Sequence, residues 1–597
     1  MLAESVEVSE TLVIFYWTDF WAVNGAINAE PENPEAIIIE YFNTARPRAA
    51  GPGADAREGD KGMAADMTQQ HKVIIEPGTI EPGKRASVIR FTPVFNVAVP
   101  FIDRHVSEGR GEHIALRDAA GDISYAQLAR NVARCGNALK SLAIGRGERL
   151  LMVVRDTPEY FYVFWGAIKA GIVPVSVNTL LKAADYRFLI EDSACSTVIC
   201  SPGLEAEVTA GAKTATGAQA QVLTTDAVVA MMQTAQDSLV PAATRSDEDC
   251  FWLYSSGSTG KPKGVVHVHR DMVITSERYG AGIVGIRTQD VVFCASKLFF
   301  SYGFGGGMTF PLWVGATIVL CEELPSAEMS FRMIEKFRPS VFFGVPTLYG
   351  QQLQALEAGK RDLSSIRAAA SAGEALPAPI FHRWREATGV AILDGIGSTE
   401  VLHIFISNRH DDIKPGTSGR PVPGYEVKIV DEAGNALGPG EVGTLMVKGA
   451  SNARCYWNNP EKTALTMRGE WLNTGDMYTI DEQGYYVNAG RGDDMLKVGA
   501  MWCSPVEIES KLLEHPKVRE AAVVGRADEE GLTKPAAYVV LKNAGDASDA
   551  TVEELRQFCK SQLAGYKYPR WFTFVDELPK TVTGKIQRFR LRQRGDA

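Results

Sequence analysis

Apolar positions recur at helical spacing over residues 125–142, among short apolar runs at 150–154, 197–200 and 221–224, and predict helices alternating with buried strands. That alternation marks α/β layers. A second cycle falls at 291–295, 317–320, 341–345 and 366–371, with helical stretches between, and predicts a second sheet similar to the first. The longest apolar stretch, 160–181, is interrupted by Lys169 and Pro174, so a buried helix followed by a buried strand accounts for it better than a membrane span. From 416 to 449 the texture changes to short strands punctuated by glycine and proline, and 490–494 forms a compact polar turn. Beyond that turn, a helix from Pro505, apolar runs at 521–524 and 537–541, a helix at 552–563 and a basic tail predict a small α+β unit. The expected fold class is α/β: a large N-terminal domain of layered subdomains over 67–491 and a small mobile α+β C-terminal domain over 492–597.

Residues 1–66 lack this patterning. The apolar run 12–23 follows Glu4, Glu7 and Glu10, where a secretion signal needs positive charge, and 49–62 is a low-complexity mix of glycine, alanine and charge ending at Met63 and Met67. The segment reads either as an over-extended start or as a genuine, poorly ordered tail. With 597 residues the chain exceeds what one core organises, and its net charge of -10 offers no basic footprint for nucleic acid or anionic lipid. Its nine cysteines are scattered with no zinc or redox spacing, which fits reduced thiols and a cytoplasmic location.

The strongest chemical signal is Tyr254-Ser255-Ser256-Gly257-Ser258-Thr259-Gly260-Lys261-Pro262-Lys263-Gly264. Its glycines let backbone N–H groups converge on an anion, its hydroxyls add donors and its lysines add positive charge, so the loop is suited to wrapping phosphates. Pro262 and the glycine spacing distinguish it from the P-loop of NTPases.

This loop resembles the signature of the adenylate-forming superfamily, which includes acyl-CoA synthetases, peptide-synthetase adenylation domains and firefly-type luciferases. Further segments follow in that superfamily's order. Gly373-Glu374-Ala375 is similar to the adenine-side segment. Asp394-Gly395-Ile396-Gly397-Ser398-Thr399-Glu400 is similar to the segment whose Thr holds the α-phosphate and whose Glu holds Mg²⁺. Asn473-Thr474-Gly475-Asp476 resembles the ribose-binding segment, with Arg491 implied on the same ribose. Pro579-Lys580-Thr581-Val582-Thr583-Gly584-Lys585 resembles the C-terminal loop whose last lysine reaches the reacting carboxylate, which makes Lys585 the implied adenylation lysine beside Thr399 and Glu400.

The resemblance implies ATP, Mg²⁺ and coenzyme A. It also implies that the small domain rotates about Asp493 between two half-reactions, and that the loop Lys497-Val498-Gly499-Ala500-Met501-Trp502 borders the path of CoA. Relatives usually carry glycine at the position of Ala500 and often arginine at that of Trp502, so the thiol half departs from the pattern there.

For the acid, the segments around Ser301-Tyr302 and His403 resemble the benzoate–CoA ligase branch. Tyr302 beside small Ala372, Gly395 and Gly397 would shape a flat, short pocket for one ring, with His403 at the ring or behind it. The function so implied is ATP-dependent ligation of benzoate, or of a hydroxy- or aminobenzoate, to CoA by a monomer or homodimer. The alternatives are loading of a carrier protein and ligation of a non-aromatic short or medium-chain acid. Two other signals carry no ligand in this reading. Gly280-Ala281-Gly282-Ile283-Val284-Gly285 fits a dinucleotide pattern but follows a helical stretch, and His267 and His269 read as structural histidines.

Overall fold

The computed structural model describes residues 70–76, 87–216, 220–255, 262–492, 494–498, 501–529, 532–581 and 586–594. The expectations for 1–66 lie outside them. Two large sheets organise the N-terminal part. The seven-stranded one runs, in space, Cys455–Tyr456, Lys263–Val268, Asp249–Ser255, Val173–Ser176, Arg149–Val153, Thr197–Cys200 and Gln221–Thr224. It is parallel from Asp249–Ser255 onward, and its first two strands are antiparallel additions at one edge.

The nine-stranded sheet has a parallel centre of Ile392–Gly397, Ala368–Ser371, Val341–Gly344, Val291–Cys294, Thr317–Val319 and Ile114–Arg117. Val341–Gly344 and Ala368–Ser371, in the middle of this sheet, are buried along their whole length, as strands covered on both faces are.

Helix Tyr125–Ser141 starts where the sequence allows it. Ser124 Oγ accepts from Gln127 N at 3.3 Å, and Gln127 Oε1 accepts from Ser124 N at 2.8 Å, a reciprocal cap. The helix packs on Pro158–Ala170, which begins with proline and ends at Gly171 with φ +81°. The two backbones nearly touch: a Cβ on Gly136 would sit 2.8 Å from the Gly166 carbonyl oxygen. Phe101, Phe161, Phe164, Trp165, Phe251 and Phe304 fill the adjoining core.

A five-stranded antiparallel sheet follows, built on Tyr425–Val430, Gly443–Gly449 and Trp471–Ile480, with Met467–Arg468 and Tyr486–Arg491 both pairing to the last of these. After Arg491 comes the smaller part: the hairpin Leu496–Val498 with Met501–Cys503, and the sheet Val518–Ala527, Thr533–Leu541 and Trp571–Phe574, packed with helices Pro505–Glu514 and Asp549–Gln562. The architecture is thus mixed α/β with a large N-terminal and a small C-terminal domain.

Some boundaries move for local reasons. The last helix named begins at Asp549 because Ser548 Oγ accepts from Thr551 N at 3.3 Å. Strand Thr533–Leu541 starts before its apolar run because pairing with Val518–Ala527 continues to Ala527 opposite Thr533. The glycine pattern at 280–285 lies in helical backbone, Ser276–Val284 continuing His269–Thr275, and a Cβ on Gly280 would meet Phe310 Cγ at 2.7 Å. Gly280 serves packing, and Gly285, with φ +68°, ends the helix in a left-handed turn. None of the nine cysteines is joined in a disulfide, and among the described residues no helix is long and apolar enough to cross a membrane.

Candidate active site

Two of the sequence motifs leave adjacent parallel strands at the same end. Ser371 pairs with Asp394, so Gly373-Glu374-Ala375, which follows Ala368–Ser371, lies beside the start of the Asp394 segment. Ligands of open α/β sheets bind at such carboxyl ends. Gly373 has φ +96°, a left-handed turn that a side chain would strain. Thr347 Oγ1 donates to Glu374 Oε2 at 3.3 Å. Asp394 is buried, accepts from Leu376 N at 3.5 Å, and is pushed up to about 8 by that burial, against the opposing pull of the nearby Ser371 hydroxyl and backbone amides.

Strand Ile392–Gly397 reverses tightly into Ile404–Ser407, and the reversal presents Thr399 and Glu400. Ser398 Oγ caps it by accepting from Val401 N at 3.3 Å. The returning strand dictates the glycines: a Cβ on Gly395 would lie 2.6 Å from Ile406 O, and one on Gly397 2.7 Å from His403 O. Their small size is therefore required by the hairpin itself, whatever Ile396 and its neighbours line. Leu402 takes φ +73°, a costly conformation for a bulky residue and one held here by complete burial.

Several contacts fix this turn. His267 Nε2 donates to the Thr399 carbonyl at 2.7 Å, while its Nδ1 pairs with Asp271 at 2.8 Å. Ala453 N donates to the Glu400 carbonyl at 2.8 Å. Glu400 Oε1 accepts from Tyr456 OH at 2.8 Å and from Ser255 Oγ at 3.3 Å. Ser255 and Lys263 face each other at the mouth of a β-hairpin, so the Ser/Gly loop joins two strands; Ser256, Gly257, Ser258, Thr259 and Gly260 lie outside the described residues. Lys263 Nζ stands 5.6 Å over the Tyr456 ring.

The two ribose candidates, 15 residues apart in sequence, meet on neighbouring strands, where Arg491 Nη1 donates to Asp476 Oδ1 at 2.9 Å and to Thr474 O at 3.2 Å. Arg491 is also close enough for its charge to act on the Tyr456 phenol. Ser255, Lys263, Glu400, Tyr456, Asp476 and Arg491 thus form one connected region.

On the acid side, Tyr302 OH donates to Gly344 O at 3.0 Å and His403 Nε2 donates to Tyr302 O at 3.2 Å. The His403 ring stacks on Tyr302 at 5.5 Å and meets Phe310 edge-on at 4.4 Å, with Tyr279 at 5.2 Å. Burial lowers His403 to about 3, so the imidazole is neutral at ordinary pH. Ala372 is buried next to Gly373, and Ser301 opens the short helix that carries Tyr302.

In the small domain, Lys497 pairs in register with Trp502 across the Leu496–Val498 hairpin. Gly499 and Ala500 between those strands, Asp493 before them and Lys585 near the terminus lie outside the described residues. Lys580 and Ile586, which flank Lys585 in sequence, form an antiparallel bridge.

Two groups escaped the sequence reading. Tyr456 had no local signal, since its partner Glu400 is 56 residues earlier. His267 was read as structural, and it is; but the carbonyl it grips belongs to Thr399, 132 residues on.

Comparison with known proteins sharpens the picture. The AMP-binding enzyme family pattern matches residues 103–457, and that of the AMP-binding enzyme C-terminal domain matches 507–585. A benzoate–CoA ligase of Thauera aromatica is 47% identical over 520 residues, covering 84% of this chain and 97% of that protein. A 4-hydroxybenzoate–CoA/benzoate–CoA ligase of Rhodopseudomonas palustris is 42% identical, covering 84% and 94%. The crystal structure of a benzoate CoA ligase from Burkholderia xenovorans superposes with a TM-score of 0.78 at 46% identity, covering 84% of this chain and all (100%) of that one. With both domain patterns in sequence order, the first of them spanning Glu400, and with relatives matched over nearly their whole length, the chain belongs to the AMP-binding enzymes, among their acid–thiol ligases.

Proposed function

We propose that the chain adenylates a single-ring aromatic acid, benzoate or a hydroxy- or amino-substituted benzoate, at the expense of ATP and passes the acyl group to coenzyme A. In the first half-reaction a substrate carboxylate oxygen attacks the α-phosphorus and pyrophosphate leaves. In the second, the CoA thiol attacks the acyl carbon, loses its proton, and AMP leaves. Neither step needs a nucleophilic side chain, so the protein's work is positioning and charge neutralisation.

In this reading Gly373, Glu374, Ala375 and Asp394 border the adenine, Asp476 and Arg491 the ribose, and Ser255, Lys263 and the loop between them the phosphates. Thr399 and Lys585 act at the α-phosphate. Glu400 fits a divalent cation: a single half-buried carboxylate among hydroxyl oxygens is a hard donor set of the kind Mg²⁺ takes beside substrate phosphates. Bound there with ATP, Mg²⁺ would offset phosphate charge. Asp493 serves as the hinge, and Lys497, Gly499 and Ala500 border the thiol's approach.

One observation carries the aromatic assignment. His403, neutral through burial, is stacked on Tyr302 and edged by Phe310, so an uncharged aromatic cluster backs Tyr302, the surroundings that a flat ring favours. The benzoate-ligase relatives support the same choice. The test is CoA-dependent AMP release measured across benzoate, hydroxybenzoates, aminobenzoates, acetate and octanoate. Aryl acids should give the highest kcat/KM; preference for acetate or octanoate would remove the aromatic assignment.

A further inference from the structure

The carboxylate of Glu400 is held by a residue that the reaction itself does not call for. Both of its hydrogen bonds, from Tyr456 OH at 2.8 Å and Ser255 Oγ at 3.3 Å, fall on Oε1. Among the described residues Oε2 receives none. We propose that Tyr456 is the positioning residue for Glu400, fixing its carboxylate so that Oε2 alone faces the divalent cation carried by the nucleotide. This inference rests on the reading of Glu400 as the cation's ligand.

Tyr456 is built for such a role. It belongs to the two-residue strand Cys455–Tyr456, which adds to the sheet edge with Tyr456 opposite Val265. Its amide donates to Thr463 Oγ1 at 3.0 Å, and its ring is 5% exposed, packed with Val265, Ala453 and Met467. Phenylalanine would fill that space equally well, so packing alone does not account for the hydroxyl. A tyrosine phenol keeps its proton at physiological pH, so at 2.8 Å from Glu400 Oε1 it acts as the donor.

The same segment also grips Glu400 by its backbone, through Ala453 N to the Glu400 carbonyl at 2.8 Å. Residues 453–456 therefore hold Glu400 at two points, main chain and side chain. A carboxylate so fixed binds a cation without first losing rotamer freedom, and removal of such supporting hydrogen bonds typically costs 10–100-fold in metal affinity.

The experiment uses the full chain without acid, so that no turnover occurs. Affinity for Mn²⁺-ATP and for metal-free ATP is measured by calorimetry, and enzyme-bound Mn²⁺ is followed by its paramagnetic resonance signal. Tyr456→Phe should lower the ratio of the two affinities by roughly 10–100-fold, with metal-free ATP binding and thermal melting unchanged. Glu400→Gln should lower it at least as far, and adding Tyr456→Phe to Glu400→Gln should cause no further loss. If Glu400→Gln leaves the ratio untouched, the reading of Glu400 falls and this proposal with it. If Glu400→Gln lowers the ratio and Tyr456→Phe does not, or if the two losses simply add, the reading of Glu400 stands and the role of Tyr456 is overturned.

Discussion

Asp394 carries a pH signature that belongs to a single residue. The unfolded chain releases this proton near the ordinary value of 3.8, whereas burial holds it in the folded protein to about 8. Between those values the folded state binds the extra proton, so stability falls as pH rises, and the loss ends once both states are ionised. Ligand-free unfolding of the wild type should therefore weaken more steeply from about pH 4 to about pH 8 than that of Asp394→Asn, leaving the variant more stable by at least ~1 kcal/mol at the upper end. Parallel profiles would dismiss the buried carboxyl as their cause. His267 gives a second residue-scale expectation. It and Asp271 are fully buried, and His267→Ala would leave the Asp271 carboxyl with only the Val268 amide as a partner and release the Thr399 carbonyl. Urea unfolding should show a loss of about 3 kcal/mol, and adenylation should slow although His267 touches no substrate. Unchanged adenylation in a folded variant would confine His267 to stability. At this scale, legibility followed local chemistry. Asp476 and Arg491 could be found because each sits in a short stretch of unusual composition, and a β-hairpin then brings them together. Tyr456 could not, because its contact with Glu400 exists only once a two-residue strand has joined the sheet edge.

Elements buried on both faces were the ones that the apolar pattern foretold. Thr197–Cys200 appears where its run predicts, since a parallel strand under helices has no solvent side to interrupt it. Lys263–Val268 was less visible: the stretch reads as the end of a phosphate loop, and it becomes a strand by pairing with Asp249–Ser255. A similar lesson applies near the N-terminus, where Val73–Glu76 pairs with Val88–Phe91 and the buried His71 Nδ1 accepts from Asn96 N at 2.9 Å. Asn96, itself fully buried, donates through Nδ2 to Ile168 O at 2.9 Å. The stretch from Gln70 is therefore tied to the core, which places the tolerated truncation point before it. A chain begun at Met67 should keep its melting temperature and its kcat/KM. One begun at Pro77 should lose about 1–3 kcal/mol, the cost of leaving a buried amide without its acceptor. Equal melting of the two chains would show that the Val73–Glu76 strand contributes nothing, and a damaged Met67 chain would show that the preceding residues do.

At the scale of the whole molecule, the proposed reaction has two chemical steps, and a rotation of the small domain would separate them. Arg588, three residues after Lys585, donates to Glu509 through Nη2 at 2.7 Å and Nε at 3.2 Å, and stands 3.6 Å from Asp494. Glu509 Oε1 also accepts from Val523 N at 2.7 Å. The chain leaving the Lys585 loop is thus tied to helix Pro505–Glu514, to strand Val518–Ala527 and to the neighbour of Asp493. A rotation about Asp493 would carry the loop with the small domain as one body, bringing Lys585 to the nucleotide in one orientation and withdrawing it in the other. Adenylation places negative charge at the α-phosphate that a lysine can offset, whereas attack of a thiol on a finished acyl-adenylate first develops its charge on the acyl carbonyl oxygen. Lys585→Ala should therefore lose adenylation by at least ~10²-fold, the usual scale for deleting one transition-state charge partner, and still convert supplied acyl-adenylate and CoA to thioester. Asp493→Pro, which stiffens the pivot, should show the complementary fault, with pyrophosphate release retained and thioester formation slowed. Single-turnover measurements of each half-reaction distinguish these outcomes, and equal losses of both half-reactions in Lys585→Ala would overturn the two-orientation scheme.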